Sequence, residues 1–275
     1  MGLTRVLILV AYATVAAAAV STVLLTRYGN DPTLLAAATR EGGPFETLSV
    51  LALLAVSVWS LMRSRCTGQS SGPRRLLTAI GLLALLAALE ELSWGQHLIG
   101  FDTPAVLRDI NAQGESNLHN LIDSQVFSAL VHVPVYLLFV FPPLVLAVAP
   151  GMAARWPLSR VPAGWLADGH GVLMFCFGAA LHDWRALVTL PDTTALLLAL
   201  VLFPLAARRG VFDATRGLWV HWLLVLAATA VFVTASAVFA YQNLQYEIRE
   251  LIVVLGVFYW LAMAVQRHGY RPMER

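Results

Sequence analysis

The chain has 275 residues, of which 59% are apolar and only 12% are charged, and its formal net charge is +2. This composition excludes an ordinary soluble domain, because so few charged residues cannot cover the surface of a protein this long. The small net charge and the lack of a dense basic run also argue against nucleic acid as a partner. We therefore predict an all-α, polytopic transmembrane helical bundle whose partner is the lipid bilayer, with residues 1–275 forming a single membrane domain.

Eight apolar runs approach the length of about 20 residues that a helix needs to cross roughly 30 Å of hydrocarbon. The first is predicted to be an uncleaved span, because its apolar run is long for a signal peptide. The sixth is the shortest of the eight. The predicted spans lie near residues 6–26, 45–62, 76–96, 126–149, 170–190, 193–207, 218–241 and 250–266.

The arginines predict the orientation of these spans, since cytoplasmic loops carry an excess of positive charge. All 18 basic residues are arginine, and 13 of them fall on the side of both termini, which are therefore predicted to be cytoplasmic. By the same topology 13 of the 16 acidic residues lie at or near the outer face. Acidic residues contribute little to orientation, so this skew indicates a polar site facing the periplasm. The use of arginine without any lysine indicates the genomic bias of a bacterium of high GC content, so we predict that the membrane is a bacterial cytoplasmic membrane.

The end of the third predicted span carries the densest group of polar residues. Glu90 and Glu91 follow an almost wholly apolar run, and a charge within a span costs roughly 3 kcal/mol on insertion scales, so such residues usually mark function. If the helix continues, Glu90, Trp94 and His97 share one face. The alternative is that both glutamates are hydrated at the interface and that Trp94 belongs to the aromatic belt.

A long outer loop, residues 100–125, follows this group. Thr103 and Pro104 are typical of a helix cap and a first-turn proline, and they predict a short interfacial helix from Pro104 to about Ala112. If the second half of the loop is also helical, one of its faces carries polar residues at successive i+4 positions, a spacing at which carboxylate and imidazole share a metal or a proton. Gly114 weakens this pattern, and a solvated helix leading into the fourth span is the alternative. The residues of that face are Asn111, Glu115, His119 and Asp123.

Histidines in two later spans are predicted to lie at the same depth. His132 lies about two turns into the fourth span, and His182 with Asp183 lies in the outer third of the fifth. A lone histidine in a span is more often a packing residue, and Asp183 with Arg185 also fits a local ion pair. Several polar residues from different spans at one depth nevertheless indicate one pocket, because each alone costs insertion energy. The polar connection 241–250 lines the rim of this pocket or is simply solvated.

The strings Glu-Glu-Leu-Ser-Trp-Gly-Gln at 90–96 and Asn-Ala-Gln-Gly-Glu-Ser-Asn-Leu-His-Asn at 111–120 resemble an uncharacterised family of bacterial polytopic membrane proteins. The string Glu-Gly-Gly-Pro-Phe-Glu at 41–46 belongs to the same resemblance, which implies a family without an activity. A more distant analogy is to the alkaline ceramidase-like membrane hydrolases, whose zinc site contains histidines, an aspartate and a serine. That superfamily has a His-x-x-x-His pair, and no two histidines of this chain are four residues apart.

Three classes of function fit these residues. The first is a metal-dependent hydrolase or transferase that acts on a lipid or lipid-linked substrate, with zinc as the expected metal and a glutamate as general base. The second is a proton- or cation-coupled transporter, although the chain shows no internal repeat and its inner half is predicted to be dry. The third is a sensory or assembly protein. The predicted catalytic residues are Glu90, Glu91, His97 and Glu115. The predicted metal ligands are His119, Asp123, His132 and His182. The other pocket candidates are Glu46, Ser93, Trp94, Gln96, Asn111, Asn120 and Asp183.

Overall fold

The computed structural model is all-helical over the residues that it describes, and no strand occurs among them. This confirms the predicted all-α class. The described residues are 2–14, 43–66, 71–111, 114–122, 124–153, 155, 163–179, 190–213, 215–238 and 244–267.

The described connections include the single helical turns Gln96–Ile99 and His119–Leu121. A π-helical segment, Tyr136–Val140, joins two of the helices. In chain order the helices are α1 (Leu3–Thr14), α2 (Pro44–Ser64), α3 (Ser71–Glu91), α4 (Ala105–Ile110), α5 (Ser124–Val135), α6 (Phe141–Val148), α7 (Gly169–Ala179), α8 (Leu190–Arg208), α9 (Arg216–Val238) and α10 (Leu244–Arg267).

Three of the described helices are long and apolar enough to cross a membrane. They are α2, α3 and the Glu247–Arg267 part of α10, with mean hydropathies of 1.8, 1.5 and 1.9. They correspond to the predicted spans 45–62, 76–96 and 250–266, and α3 begins and ends about five residues before its predicted span. The other five predicted spans coincide with shorter apolar helices or continue beyond the described residues, so the number eight stays a prediction.

The exposed surface of α2 and α3 is apolar. Within their apolar windows only 28% and 22% of the residues are buried by the rest of the protein, compared with 78% for α10. Met62 and Leu83, for example, are 67% and 65% exposed. A soluble monomer rarely presents such a continuous apolar surface, whereas lipid covers it readily. The helices α2 and α3 therefore suit the periphery of a membrane bundle, and α10 suits its centre.

Small residues let α2 and α3 pack closely, as is common between membrane helices. An ideal Cβ atom on Gly81 would lie 2.7 Å from Cγ of Leu61 and 3.2 Å from the carbonyl oxygen of Ser57. Any larger residue at position 81 would push the helices apart. The remaining contact is lined by other buried small residues, namely Ser57, Ser60, Ser64, Ala84 and Ala88.

The helix α10 is the central element because it packs against α2 on one side and against α7 on the other. Its residues Ile252, Tyr259 and Leu261 are 0–2% exposed. The Phe175 ring of α7 lies against Gly256, where an added Cβ would come within 2.9 Å of it. The helix α7 in turn contacts α8 and α9, so the core extends from α2 through α10 and α7 to α8 and α9.

The directions of the central helices define two ends of the molecule. Two points of contact show that α2 and α10 run in parallel. Glu46 and Glu250 lie close enough to interact near the first turns of the two helices, and the rings of Trp59 and Phe258, further along both helices, have centroids 5.5 Å apart. The helix α3 follows α2 after a short connection and runs back. The first turns of α2 and α10 and the last turn of α3 thus form one end, which we call the acidic end. The opposite, arginine-rich end carries Arg63, Arg65, Arg74, Arg75 and Arg267.

The fourth predicted span, 126–149, is interrupted. Pro134 lies inside α5, and a proline removes a backbone donor and disturbs the preceding turn. The chain then continues as the π-helical segment. The next helix, α6, begins at Phe141 and has Pro142 and Pro143 in its first turn. Prolines and π-helical turns are established causes of such interruptions.

Candidate functional site at the acidic end

The chain leaves α3 through a left-handed turn. The helix ends at Glu91, and Ser93, Trp94 and Gly95 have φ values of 46°, 58° and 83°. Glycine adopts this region freely, whereas Ser and Trp are each strained in it, and such strain persists where the surroundings hold it in place. The helix therefore does not continue through His97, which was the condition for Glu90, Trp94 and His97 to share one helical face, because the left-handed turn interrupts it after Glu91.

The Glu90 carboxylate accepts hydrogen bonds from residues in and beyond the turn. It accepts a hydrogen bond from the indole Nε1 of Trp94 at 2.7 Å. It also accepts the backbone N–H groups of Leu118 and His119 at 2.7 and 3.1 Å. Nδ1 of His119 lies 3.6 Å from the same carboxylate. Three N–H donors from two separate parts of the chain thus fix one carboxylate beside one imidazole.

The His119 side chain is largely buried, with 21% of its surface exposed. Burial lowers its pKa below the usual value of 6.5, and this effect outweighs the nearby Glu90 and Glu115, which act in the opposite direction. The imidazole is consequently neutral at pH 7 and able to accept a proton. A neutral imidazole next to a fixed carboxylate is an arrangement suited to general-base chemistry.

A second carboxylate, Glu115, lies in a buried network with Ser93 and Asn117. Glu115 is 6% exposed, Ser93 0% and Asn117 2%. The Ser93 hydroxyl donates to Oε2 of Glu115. Nδ2 of Asn117 donates to the same oxygen at 2.7 Å and to Oγ of Ser93 at 3.0 Å. Because the Ser93 hydroxyl is fully buried and has two partners, it holds the turn in position and is not an accessible nucleophile.

Asn111 determines the shape of the next loop. Its side chain accepts the backbone N–H of Glu115 at 3.2 Å and donates to the backbone and side-chain oxygens of Asn117 at 2.8 and 2.9 Å. Gly114 has a φ of 70°. Such bonds compete with helical hydrogen bonding, so residues 111 and 114–122 do not form the α-helix on which the shared polar face depended. Glu115 and His119 come together by folding of the loop and not by helical spacing.

Gln96 and Thr103 join the two halves of this structure. Nε2 of Gln96 donates to Oγ1 of Thr103 at 2.7 Å, and its Oε1 accepts the backbone N–H of Ser116 at 2.9 Å. The predicted interfacial helix is present as α4, but Thr103 does not cap it, because its hydroxyl is committed to Gln96. Residues 93–111 and 114–122 together form what we call the polar cap of α3.

Four further carboxyl groups meet beside the polar cap, from the ends of three helices. They belong to Glu46 of α2, Glu91 of α3, and Glu247 and Glu250 of α10. Among the described residues, every charged group with an electrostatic effect on Glu91 is another carboxyl. These groups are Glu46, Glu90, Glu247 and Glu250. Glu46 and Glu91 were predicted from the sequence as site residues and the other two as rim residues, and the helix packing brings them together.

The other predicted site residues are only partly described. Asn120 lies in the turn His119–Leu121. His97 lies in the turn Gln96–Ile99 and His132 in α5, but the structure describes the backbone and not the side chain of each. Asp123, His182 and Asp183 lie outside the described residues. The described side chains include no group of three His, Cys, Asp or Glu residues arranged to hold a metal ion. Of the four predicted zinc ligands, the structure thus places the side chain of His119.

A polar network at the arginine-rich end was not predicted from the sequence. The Asp168 carboxylate accepts the Tyr259 hydroxyl at 2.9 Å, the Gly171 N–H at 2.8 Å and the Arg267 guanidinium at 2.9 Å. Nearby, Nδ1 of His170 and Nδ1 of His221 lie 3.0 Å apart. The expectation of a dry half is therefore wrong at this end. The partners are up to 99 residues apart in sequence, so no local pattern reveals them.

Comparison with known proteins does not assign this chain to a group. No family model, no curated protein and no solved structure matches it.

Proposed function

We propose that the protein is a multi-pass membrane enzyme, a hydrolase or transferase, that acts at the acidic end on the head group of a lipid or lipid-linked substrate. The observation that carries this proposal is the Glu90 and His119 pair, a fixed carboxylate 3.6 Å from a neutral imidazole at the end of an apolar helix. The end of such a helix is where lipid head groups lie. The pair therefore has a group that can accept a proton, and it lies where the head group of a membrane-bound substrate would be.

In this mechanism His119 is the general base. It takes a proton from water or from a substrate hydroxyl, and the resulting oxygen attacks the ester carbon or phosphorus of the head group. The bond from that atom to the leaving oxygen breaks, and the protonated imidazole returns its proton to the leaving oxygen. Glu90 is the stabilising carboxylate, because it lies 3.6 Å from Nδ1 of the imidazole and would stabilise the positive charge that forms on the ring. The three N–H donors to Glu90 keep its carboxylate in place during this step. A partly exposed His119 completes the arrangement, since a base must be within reach of its proton.

The proposed mechanism uses only side chains that the structure describes. Zinc bound by His119 with Asp123, His132 and His182 stays a prediction, since His119 is the one member of that set whose side chain is described. We expect elemental analysis to distinguish the two mechanisms. Stoichiometric zinc that is lost in His119→Ala would add a metal to the site, and zinc-free protein that turns over lipid would leave the acid–base pair alone.

Transport is a second candidate function, and α10 argues against it. This helix carries Glu247 and Glu250 near one end and Tyr259 nearer the other. All residues between Glu250 and Tyr259 are apolar or glycine, and Leu251, Ile252 and Leu255 are buried. A proton or cation path along this helix would lack polar groups for about two turns. The orientation that places the acidic end in the periplasm rests on the arginine distribution and is part of the proposal.

The experiment that tests the proposal is lipid turnover by purified protein in liposomes of a total bacterial lipid extract, followed by mass spectrometry. We expect at least one lipid species to be consumed by the wild type and to persist with His119→Ala and with Glu90→Gln. The matched control is Asp109→Asn, which removes an exposed carboxyl of α4. The proposal is wrong if all four folded proteins give the same lipid profile.

A further inference from the structure

Two histidines join the starts of α7 and α9 at the arginine-rich end. Nδ1 of His170 lies 3.0 Å from Nδ1 of His221, and the two rings lie at 27° to each other with centroids 5.3 Å apart. An ideal Cβ atom on Gly169 would lie 2.9 Å from the side chain of Leu218, so the two helices are in close contact beside this pair. Neither histidine takes part in the proposed enzymatic mechanism.

The distance between the two Nδ1 atoms limits the number of protons that the pair can hold. A hydrogen bond between two imidazole nitrogens requires a hydrogen atom on one nitrogen and a lone pair on the other. If both Nδ1 atoms carry hydrogen, two N–H groups point at each other across 3.0 Å, and the contact becomes repulsive. The pair is therefore stable only while one of the two Nδ1 atoms is unprotonated.

The surroundings of His221 decide which histidine is the donor. The residue is 0% exposed, and its Nε2 has no hydrogen-bond partner among the residues that the structure describes. Buried N–H groups without an acceptor are rare in folded proteins, so we assign the hydrogen of His221 to Nδ1 and leave its Nε2 unprotonated. His170 then accepts this hydrogen bond through its own Nδ1 and carries its hydrogen on Nε2.

An additional proton has no favourable place in this arrangement. On His170 it would occupy Nδ1, which already faces the N–H of His221. On His221 it would occupy Nε2 and create a buried, charged N–H without an acceptor, which is costly in the interior of a protein. Protonation of either ring therefore favours separation of the pair.

One carboxylate lies near the pair in the described part of the chain. Apart from the other histidine, Asp168 is the described charged group with an electrostatic effect on His170. The Asp168 oxygens already accept hydrogen bonds from Tyr259 and Arg267 of α10. The charge of an additional proton at the pair is consequently poorly compensated.

The other described elements around the pair present few charged groups to it. The Tyr12 ring of α1 meets the His221 ring edge to face, with centroids 4.5 Å apart. The buried residues of α8 are all apolar, and the π-helical segment stacks Phe139 on Phe175 further along α7. Arg216, the first residue of α9, is exposed. The response of the pair to pH therefore depends mainly on its two imidazoles and on Asp168.

From this geometry we infer that His170 and His221 form a proton-sensitive clasp, which holds the starts of α7 and α9 together at neutral pH and releases them on acidification. Histidine is the side chain whose charge ordinarily changes between about pH 5 and 8. The orientation predicted from the arginines places this end in the cytoplasm, so the clasp would respond to cytoplasmic pH. The inference is independent of the proposed enzymatic activity at the acidic end.

The test is amide hydrogen exchange, measured by mass spectrometry on the full-length protein in detergent. After correction for intrinsic rates, we expect the starts of α7 and α9 to exchange about tenfold faster at about pH 5.5 than at about pH 7.5, whereas α2 should not change. His170→Asn retains an acceptor for the His221 N–H but cannot be protonated, so it should abolish the acceleration. His221→Phe keeps an aromatic ring without the donor and should abolish it too. The control His119→Ala should retain the acceleration, because it removes the histidine of the polar cap.

Three results would overturn the inference. They are a wild type without acceleration in α7 and α9, the same acceleration in His170→Asn, and an acceleration that is lost only in His119→Ala. Nuclear magnetic resonance of wild-type protein with ¹⁵N-labelled histidine keeps the test valid if the variants do not fold. We expect a coupling between two imidazole nitrogens across an N–H···N hydrogen bond at neutral pH and its loss on acidification. A coupling that persists in acid, or none at neutral pH, would also reject the clasp.

Discussion

The two ends of the molecule surround partly buried carboxyl groups in opposite ways. At the arginine-rich end Asp168 has a hydroxyl, a backbone N–H and a guanidinium as donors, so its charge is balanced and its oxygens are fully used. At the acidic end four carboxyls repel one another beside Arg249. The first arrangement stabilises the junction between α7 and α10. The second costs stability, and a protein retains such a cost where it binds or transforms something.

The largest expected effect is on activity at the acidic end. Replacing His119 with alanine removes the general base and should reduce lipid turnover by about 10²- to 10⁴-fold. The melting temperature should change little, because the Glu90 carboxylate keeps its three N–H donors in this variant. Initial rates and thermal unfolding of the same preparations check both parts. If His119→Ala protein is as active as the wild type, His119 is not the general base and the acidic end is not shown to be the site of the reaction.

The next effect is on stability at the other end. Asp168→Ala leaves the Tyr259 hydroxyl and the Gly171 N–H without their acceptor, and we expect it to lower the free energy of unfolding by about 1–3 kcal/mol. Activity per folded molecule should be retained. Asp213→Ala, an exposed carboxyl in the turn before α9, is the control. Thermal unfolding in detergent measures the difference, and equal melting temperatures would show that the network has no stabilising role.

A change of the opposite sign is expected for Glu91→Gln. This variant replaces Glu91 at almost constant volume with a side chain that cannot ionise among the other carboxyls, so it should raise the free energy of unfolding by about 0.5–2 kcal/mol. If Glu91→Gln is instead less stable than the wild type, the acidic end is balanced by partners in the same way as the arginine-rich end.

The smallest effect is on pH dependence. The folded protein holds the pKa of His119 below its usual value of 6.5, chiefly through burial. As pH falls below 6.5 the unfolded chain takes up a proton that the folded protein does not, so stability decreases on acidification until the lowered pKa is reached. The base form should likewise remain active at pH values where an exposed histidine is already protonated. A kcat/KM profile with its acidic limb at or above pH 6.5 would contradict this.

Composition and helical periodicity predicted the parts of this fold that depend on local sequence. The apolar runs of α2, α3 and α10 predicted helices long enough for a membrane, and Pro104 predicted the start of α4 to within one residue. These features depend on residues close together in the chain. Hydropathy, proline and charge patterns describe such features well.

The site was less predictable because it depends on competition between local and distant contacts. Glu90 and His119 were both recognised as site candidates, but they were assigned to two separate helical faces. The left-handed conformation of Ser93 and Trp94 has no signature except the following Gly95, since neither residue favours it. Asn111, Gly114 and Asn117 are typical loop residues, and they are the local signal in the sequence that favours a loop over a helix here.

The order in which the carboxyls enter the fold has a consequence for biogenesis. The hairpin of α2 and α3 brings in Glu46 and Glu91 early in synthesis, whereas Glu247 and Glu250 arrive about 150 residues later with α10. The carboxyl cluster is therefore incomplete until α10 has inserted between α2 and α7. A chain that stalls before α10 carries the polar cap and the Glu90 and His119 pair but lacks half of the cluster. The proximity of Glu91 to Glu247 would thus report complete assembly of the membrane domain and not merely insertion of its first hairpin.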